Sequence, residues 1–164
     1  MMKTESSSAL RAFATIRFEG DALDPSSLSD LLRVRPTLSY AKGETYGVGR
    51  RGIEKTGPTG YWFLNTKAYL ETSDLDVHIG FLTKMLTDST AHPHRDHKFN
   101  RIKAVVDGAS LEVLVTLFWM GGNGAEMPTV GPRFKSLIDT LRGGIETDFT
   151  LIEGDPSSLA GRAA

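Results

Sequence analysis

The run from Leu111 to Met120 constrains this chain more than any other segment. It reads Leu-Glu-Val-Leu-Val-Thr-Leu-Phe-Trp-Met and is followed at once by Gly121-Gly122-Asn123-Gly124. A membrane-spanning helix needs about 20 apolar residues, so this run is too short to cross a bilayer, and Glu112 interrupts it. Val113, Val115 and Leu117 alternate with Leu114 and Phe118, so a strand here is apolar on both sides. Such a strand belongs inside a sheet with both faces covered. A chain of 164 residues, 40% hydrophobic and 24% charged, has the material for one core and one domain around that strand.

The remaining elements follow from periodicity and punctuation. Ala12 to Phe18 alternates as a strand, with Ala14, Ile16 and Phe18 on one side. Asp24-Pro25 supplies an N-cap and a first-turn proline for a helix carrying Leu28, Leu31 and Leu32, which Pro36 ends. Thr37 to Lys42 reads as a second strand, Gly43 to Gly60 as a loop, and Tyr61 to Leu70 as a third strand. Ser73 and Asp76 form a capping box ahead of Leu75, Ile79, Leu82 and Leu86, and Phe99, Ile102 and Val106 mark another helix. Gly131-Pro132 opens the last helix, and Ile145 to Ile152 is the closing strand; Leu31, Leu137 and Leu141 are all expected to be buried against the sheet. The order βαββ–αα–βαβ predicts an α+β fold, a ferredoxin-like sandwich with a mixed sheet backed by helices. One α+β domain is expected over residues 10–153, between a disordered N-terminal tail (1–9) and a flexible C-terminal tail (154–164).

Charge and composition narrow the function classes. A net charge of −1 provides no general attraction to nucleic acid or an anionic membrane. The absence of cysteine removes disulfides, thiolate metal sites and thiol nucleophiles. No secretory leader is visible before Ala9, so a cytoplasmic protein is expected.

Several motifs invite chemistry. Gly47-Val48-Gly49-Arg50-Arg51-Gly52 matches G-x-G-x-x-G, but the breakers Gly57, Pro58 and Gly60 follow it where a dinucleotide fold requires a helix. A hairpin connection fits better. His92, His94 and His97 are the densest set of metal-capable side chains, yet Pro93 prevents a shared helical face for the first two, so no metal site is expected there. Glu146 and Asp148 share one side of a strand with no nucleophile nearby. His78 sits at the edge of an apolar helix face and is read as a packed or hydrogen-bonded helix residue. Lys42, Arg50 and Arg51 lie close in sequence to Tyr40, Tyr46, Tyr61 and Trp62, a pattern of cations and rings suited to a small anionic ligand such as a nucleotide or phosphate. Trp62 would form a wall of that site, with Lys42, Arg50 and Arg51 as its cations.

An early strand followed by Gly20-Asp21-x-Leu23-Asp24-Pro25, then Pro36-Thr37, Tyr40-x-Lys42-Gly43-Glu44, Thr59-Gly60-Tyr61-Trp62 and Gly121-Gly122-Asn123-Gly124, occurs in a characteristic order. In that order the chain resembles a bacterial family catalogued as domain of unknown function 4279. The resemblance implies a binding module, since some members of the family look like immunity proteins of toxin systems. With no catalytic constellation in view, the chain is expected to be a non-catalytic binding protein that recognises another protein. The alternative is a small anionic ligand held by the 40–62 hairpin. No cofactor is expected.

Overall fold

A computed structural model describes residues 9–88 and 92–152. Five strands form one mixed sheet: β1 (Ala9–Gly20), β2 (Leu38–Tyr40), β5 (Gly60–Asn65), β6 (Glu112–Gly121) and β7 (Gly144–Leu151). Their order is β2-β5-β1-β6-β7. β1 runs antiparallel to both β5 and β6, while β7 lies parallel to β6. The helices are α1 (Pro25–Leu32), α2 (Leu75–Leu86), α3 (His97–Gly108) and α4 (Pro132–Thr140). No helix among the described residues is long and apolar enough to cross a membrane.

Alternation along the strands decides where the core sits. Ala12, Ala14, Ile16 and Phe18 of β1 pair with Trp119, Leu117, Val115 and Val113 of β6, and all are buried. Leu28 and Leu32 from α1, Leu82 and Leu86 from α2, Phe99 and Ile102 from α3, and Leu137 and Ile138 from α4 join them in one cluster. All four helices therefore back the same side of the sheet. Helix starts are set locally: Asp24 caps α1 through the Ser27 amide and hydroxyl, and Asp96 caps α3 through the Phe99 amide. Leu137 and Leu141 are buried as expected, whereas Leu31 is only partly buried, because α1 turns Leu28 and Leu32 inward instead.

The structure corrects several boundaries. β1 begins at Ala9, inside the segment expected to be a disordered tail; residues 1–8 and 153–164 lie outside the described residues. The third strand stops at Asn65, whose side chain caps a 3₁₀ turn over Thr66–Ala68. Tyr69 is thereby freed from the sheet, and its hydroxyl accepts from the Arg35 amide and donates to the Arg35 carbonyl. α2 is capped by Asp74 rather than Ser73. The Gly43–Gly60 segment is not only loop: it holds a two-stranded hairpin, β3 (Thr45–Val48) and β4 (Ile53–Thr56). The G-x-G-x-x-G run is this hairpin's tip, with Gly49 and Gly52 at φ 74° and 60°, where a side chain would be strained. β6 is interior, but its second face is only partly covered: Leu114, Thr116 and Phe118 remain partly exposed.

Candidate functional site

The side of the sheet that carries no helix is built by the other half of each strand's alternation. Arg11, Phe13, Thr15, Arg17 and Glu19 of β1 lie between Asn65, Phe63 and Tyr61 of β5 and Met120, Phe118, Thr116, Leu114 and Glu112 of β6. Glu146 and Asp148 of β7 flank Thr116 and Phe118 at the far edge. Opposite them, Leu38 and Tyr40 of β2 face Phe63 and Tyr61.

Rings on this face organise into two groups. Phe13 and Phe118 stack across the β1–β6 boundary with centroids 4.6 Å apart. Lys67 Nζ lies 3.9 Å from the Phe13 centroid, and the Arg11 guanidinium approaches both rings. Burial holds the Lys67 ammonium below its ordinary pKa, with the Arg11 charge adding to the effect. The second group is a continuous stack. Tyr46 lies 4.1 Å from Tyr40, Tyr40 lies 5.3 Å from Tyr61, and Tyr61 lies 6.2 Å from Phe63, all nearly parallel. The hairpin makes this possible by folding back at its base, where the Gly43 amide donates to the Gly57 carbonyl and the Gly57 amide to the Glu44 carbonyl. Gly57 has to be glycine, since a Cβ there would run into the Tyr40 ring.

Stacking leaves Tyr40 only 8% exposed. Burial first, then the hydrogen bond with Tyr46, pushes its phenol up to about 12 from 10.0. Burial also raises Tyr61, opposed by the neighbouring Arg17 charge. A raised folded-state pKa means that the fold favours the neutral phenol. Tyr40 therefore contributes stability that is complete below pH 10 and is lost as pH rises through about 12. In an ultraviolet titration of the tyrosinates, Tyr40→Phe should remove the last phenol to ionise and flatten the alkaline loss of stability. An unchanged late transition in that variant would assign it to another tyrosine.

The residues singled out from sequence do not converge. Trp62 points to the helix side, is 0% exposed, meets Phe18 edge-on at 5.7 Å, and donates from Nε1 to Ser29 Oγ. It is a core residue, which corrects its expected role as a ligand wall. Lys42 forms an exposed ion pair with Asp21 at 2.9 Å. That contact, with a hydrogen bond from Thr59, lowers the Asp21 carboxyl below its ordinary pKa. Arg50 and Arg51 sit at the exposed tip of the hairpin, a four-residue strand beyond its base, and a strand advances about 3.3 Å per residue. Among the described residues no group of three or more His, Asp or Glu side chains is placed to hold a metal. His92, His94 and His97 are spread over a 3₁₀ turn (Pro93–Arg95) and the first residue of α3, and Asp96 is committed to capping through the Phe99 and Asp88 amides.

Sequence reading missed the helix-free face, although its signal was present. The second apolar set in Leu111–Met120, the odd-numbered residues of β1, and Tyr40, Tyr61 and Phe63 all alternate in phase with it. It also missed two cavities beside α1. One of about 850 Å³ is lined by Ser26, Ser29, Arg33, Arg35 and Thr37, among others. The other, of about 330 Å³, lies between α1 and the start of α3.

Fold and face together define an α+β domain with a five-stranded mixed sheet, four helices behind it, and an aromatic face left open. The chain belongs to the family described as domain of unknown function DUF4279, whose model matches residues 8–150. Neither the curated proteins nor the solved structures gave a match.

Proposed function

We propose that this chain is a non-catalytic binding protein that recognises another protein through the helix-free face of its sheet. The observation that carries this reading is the arrangement of the rings. Most of their flat faces are taken up by one another and by Lys67 and Arg11, so the surface offers mainly ring edges and phenol hydroxyls. Edges and partly exposed apolar side chains suit the packed centre of a protein interface, where aromatic residues are enriched. Single-stranded nucleic acid would need free ring faces for base stacking, which this arrangement serves poorly.

The partner's chemistry follows from the rim. Glu112, Glu146 and Asp148 gather on the β6–β7 side, while Arg11 and Arg17 are occupied by rings and by Glu19. A complementary protein would set apolar side chains over Phe118 and Leu114 and place Lys or Arg against Glu146 and Asp148. An immunity-like role, which the family resemblance implies, would use this face to cover the working surface of a basic partner. We also read the sheet as a ferredoxin-like sandwich extended by β7. The order β2-β5-β1-β6, with β1 antiparallel to both neighbours, supports that reading.

The test compares wild type with Glu146→Lys/Asp148→Lys in affinity purification from the native host, followed by titration of the purified captured protein. Both substituted side chains are exposed, so the fold should be unaffected. The variant should bind its partner at least about tenfold more weakly, with a slower association at low salt. A partner that binds wild type and variant equally, and equally to a Phe118→Ser variant shown to be folded, would move the interface off this face.

A further inference from the structure

We propose that the cleft between α1 and the start of α3 binds the phosphate group of a small phosphorylated sugar or nucleotide. Arg33, Lys98 and Arg101 would hold the phosphate. The cleft is a cavity of about 330 Å³, large enough for a phosphate and its first substituent, and those three cations line it together with His97, Asp30 and Asp88. They come from separate elements. Arg33 follows the last residue of α1, whereas His97, Lys98 and Arg101 lie within the first two turns of α3, three and four residues apart, and therefore share a face.

The charges in the cleft do not cancel. Three cations, Arg33, Lys98 and Arg101, stand against two carboxylates, Asp30 and Asp88, which leaves an excess of one positive charge. Among the described residues neither Arg33 nor Arg101 forms a salt bridge. Lys98 Nζ donates to the Leu32 carbonyl at 3.3 Å. Burial holds the Lys98 ammonium below its ordinary pKa, with the Arg33 charge adding to that and Asp88 and Asp96 opposing it. Two guanidinium groups and an ammonium lining one cleft suit a tetrahedral oxyanion with several oxygens to share.

The second cavity supplies the rest of the ligand. It shares Asp30 and Arg33 with the first, has a volume of about 850 Å³, and is lined by Ser26, Ser29 and Thr37 among others. Asp30 stands at the junction, where a carboxylate would repel a phosphate but accept hydrogen bonds from sugar hydroxyls. Arg33 would then bridge the two halves of the ligand. This site is separate from Lys42, Arg50 and Arg51, and it lies on the helix side of the sheet, away from the proposed protein-docking face.

Calorimetric titration in low-salt, phosphate-free buffer, with inorganic phosphate, ribose, ribose 5-phosphate and AMP as probes, tests the proposal. Ribose 5-phosphate or AMP should bind saturably, inorganic phosphate more weakly, and ribose not at all. Arg101→Gln and Arg33→Gly should each weaken binding about tenfold or more, the loss of a charged hydrogen-bond donor. Arg33 stands at φ 58°, a conformation that favours glycine, so Arg33→Gly should melt higher than wild type while losing the ligand. That combination separates loss of the site from loss of the fold. A Lys42→Ala/Arg50→Ala variant should bind as wild type does. The proposal is overturned if no phosphorylated probe saturates at about 10 mM. It is also overturned if Arg33→Gly and Arg101→Gln, both folded, bind as tightly as wild type, or if inorganic phosphate binds as tightly as ribose 5-phosphate.

Discussion

Trp62→Ala should cost about 3–5 kcal/mol of stability, a large share of the roughly 5–15 kcal/mol typical of a natural domain. The indole is fully buried on the helix side of β5, against Phe18 on the neighbouring strand and beneath Ser29 of α1. Truncation removes the transfer energy of a large ring and opens a cavity that the sheet, fixed by strands on both sides, cannot collapse to fill. The Ser29 hydroxyl loses only one donor and can turn elsewhere, so most of the loss is packing. Trp62→Phe should retain much of the packing and recover most of the stability. Urea melts of the two variants measure the difference. A midpoint for Trp62→Ala within error of wild type would show that the ring is not part of the core.

Thr66→Val should cost about 1–3 kcal/mol for each buried group it leaves unsatisfied, although it keeps the side chain's shape. The Thr66 hydroxyl, 0% exposed, links three elements: it accepts from the Ala14 amide at 2.9 Å and lies 2.6 Å from His78 Nδ1. On the other side of the ring, His78 Nε2 lies 2.8 Å from the Thr72 carbonyl. A carbonyl only accepts, so Nε2 carries a hydrogen and donates it to Thr72, while the Thr66 hydroxyl also reaches the Ala14 carbonyl at 3.1 Å. The variant strands the Ala14 amide and His78 Nδ1 together. Thr66→Ser, which keeps the hydroxyl, should recover most of the loss. In a double-mutant cycle with His78→Leu the two costs should not add, because each change removes the same hydrogen bond. Additive losses would mean that the two side chains stabilise the fold independently.

His78 illustrates how far local sequence reaches. Its place beside an apolar helix face predicted a packed or hydrogen-bonded residue, and it is both. The identity of its partner was not legible, because Thr66 was expected inside a strand. The chain instead leaves the sheet at Asn65, whose own side chain caps the turn that follows. The same limit applies to Leu31: spacing placed three leucines on one helix, but the angle at which α1 meets the sheet selects Leu28 and Leu32.

Periodicity and punctuation alone located the five strands of the main sheet, the four helices, their order and the interior position of Leu111–Met120, because alternation and capping act within a few residues of themselves. They did not locate the β3–β4 hairpin. The face that each aromatic or charged side chain occupies was decided by tertiary structure. Tyr61 and Trp62 are neighbours in sequence, yet a strand turns successive side chains to opposite sides, and only the siting of all four helices on one side makes Trp62 core and Tyr61 surface. The cations followed the same rule. Lys42, Arg50 and Arg51 are close in sequence but spread along a hairpin, whereas Arg33, Lys98 and Arg101, from distant parts of the chain, meet because α1 packs beside the start of α3. Sequence proximity measures distance along the chain; a site is set by distance through the fold.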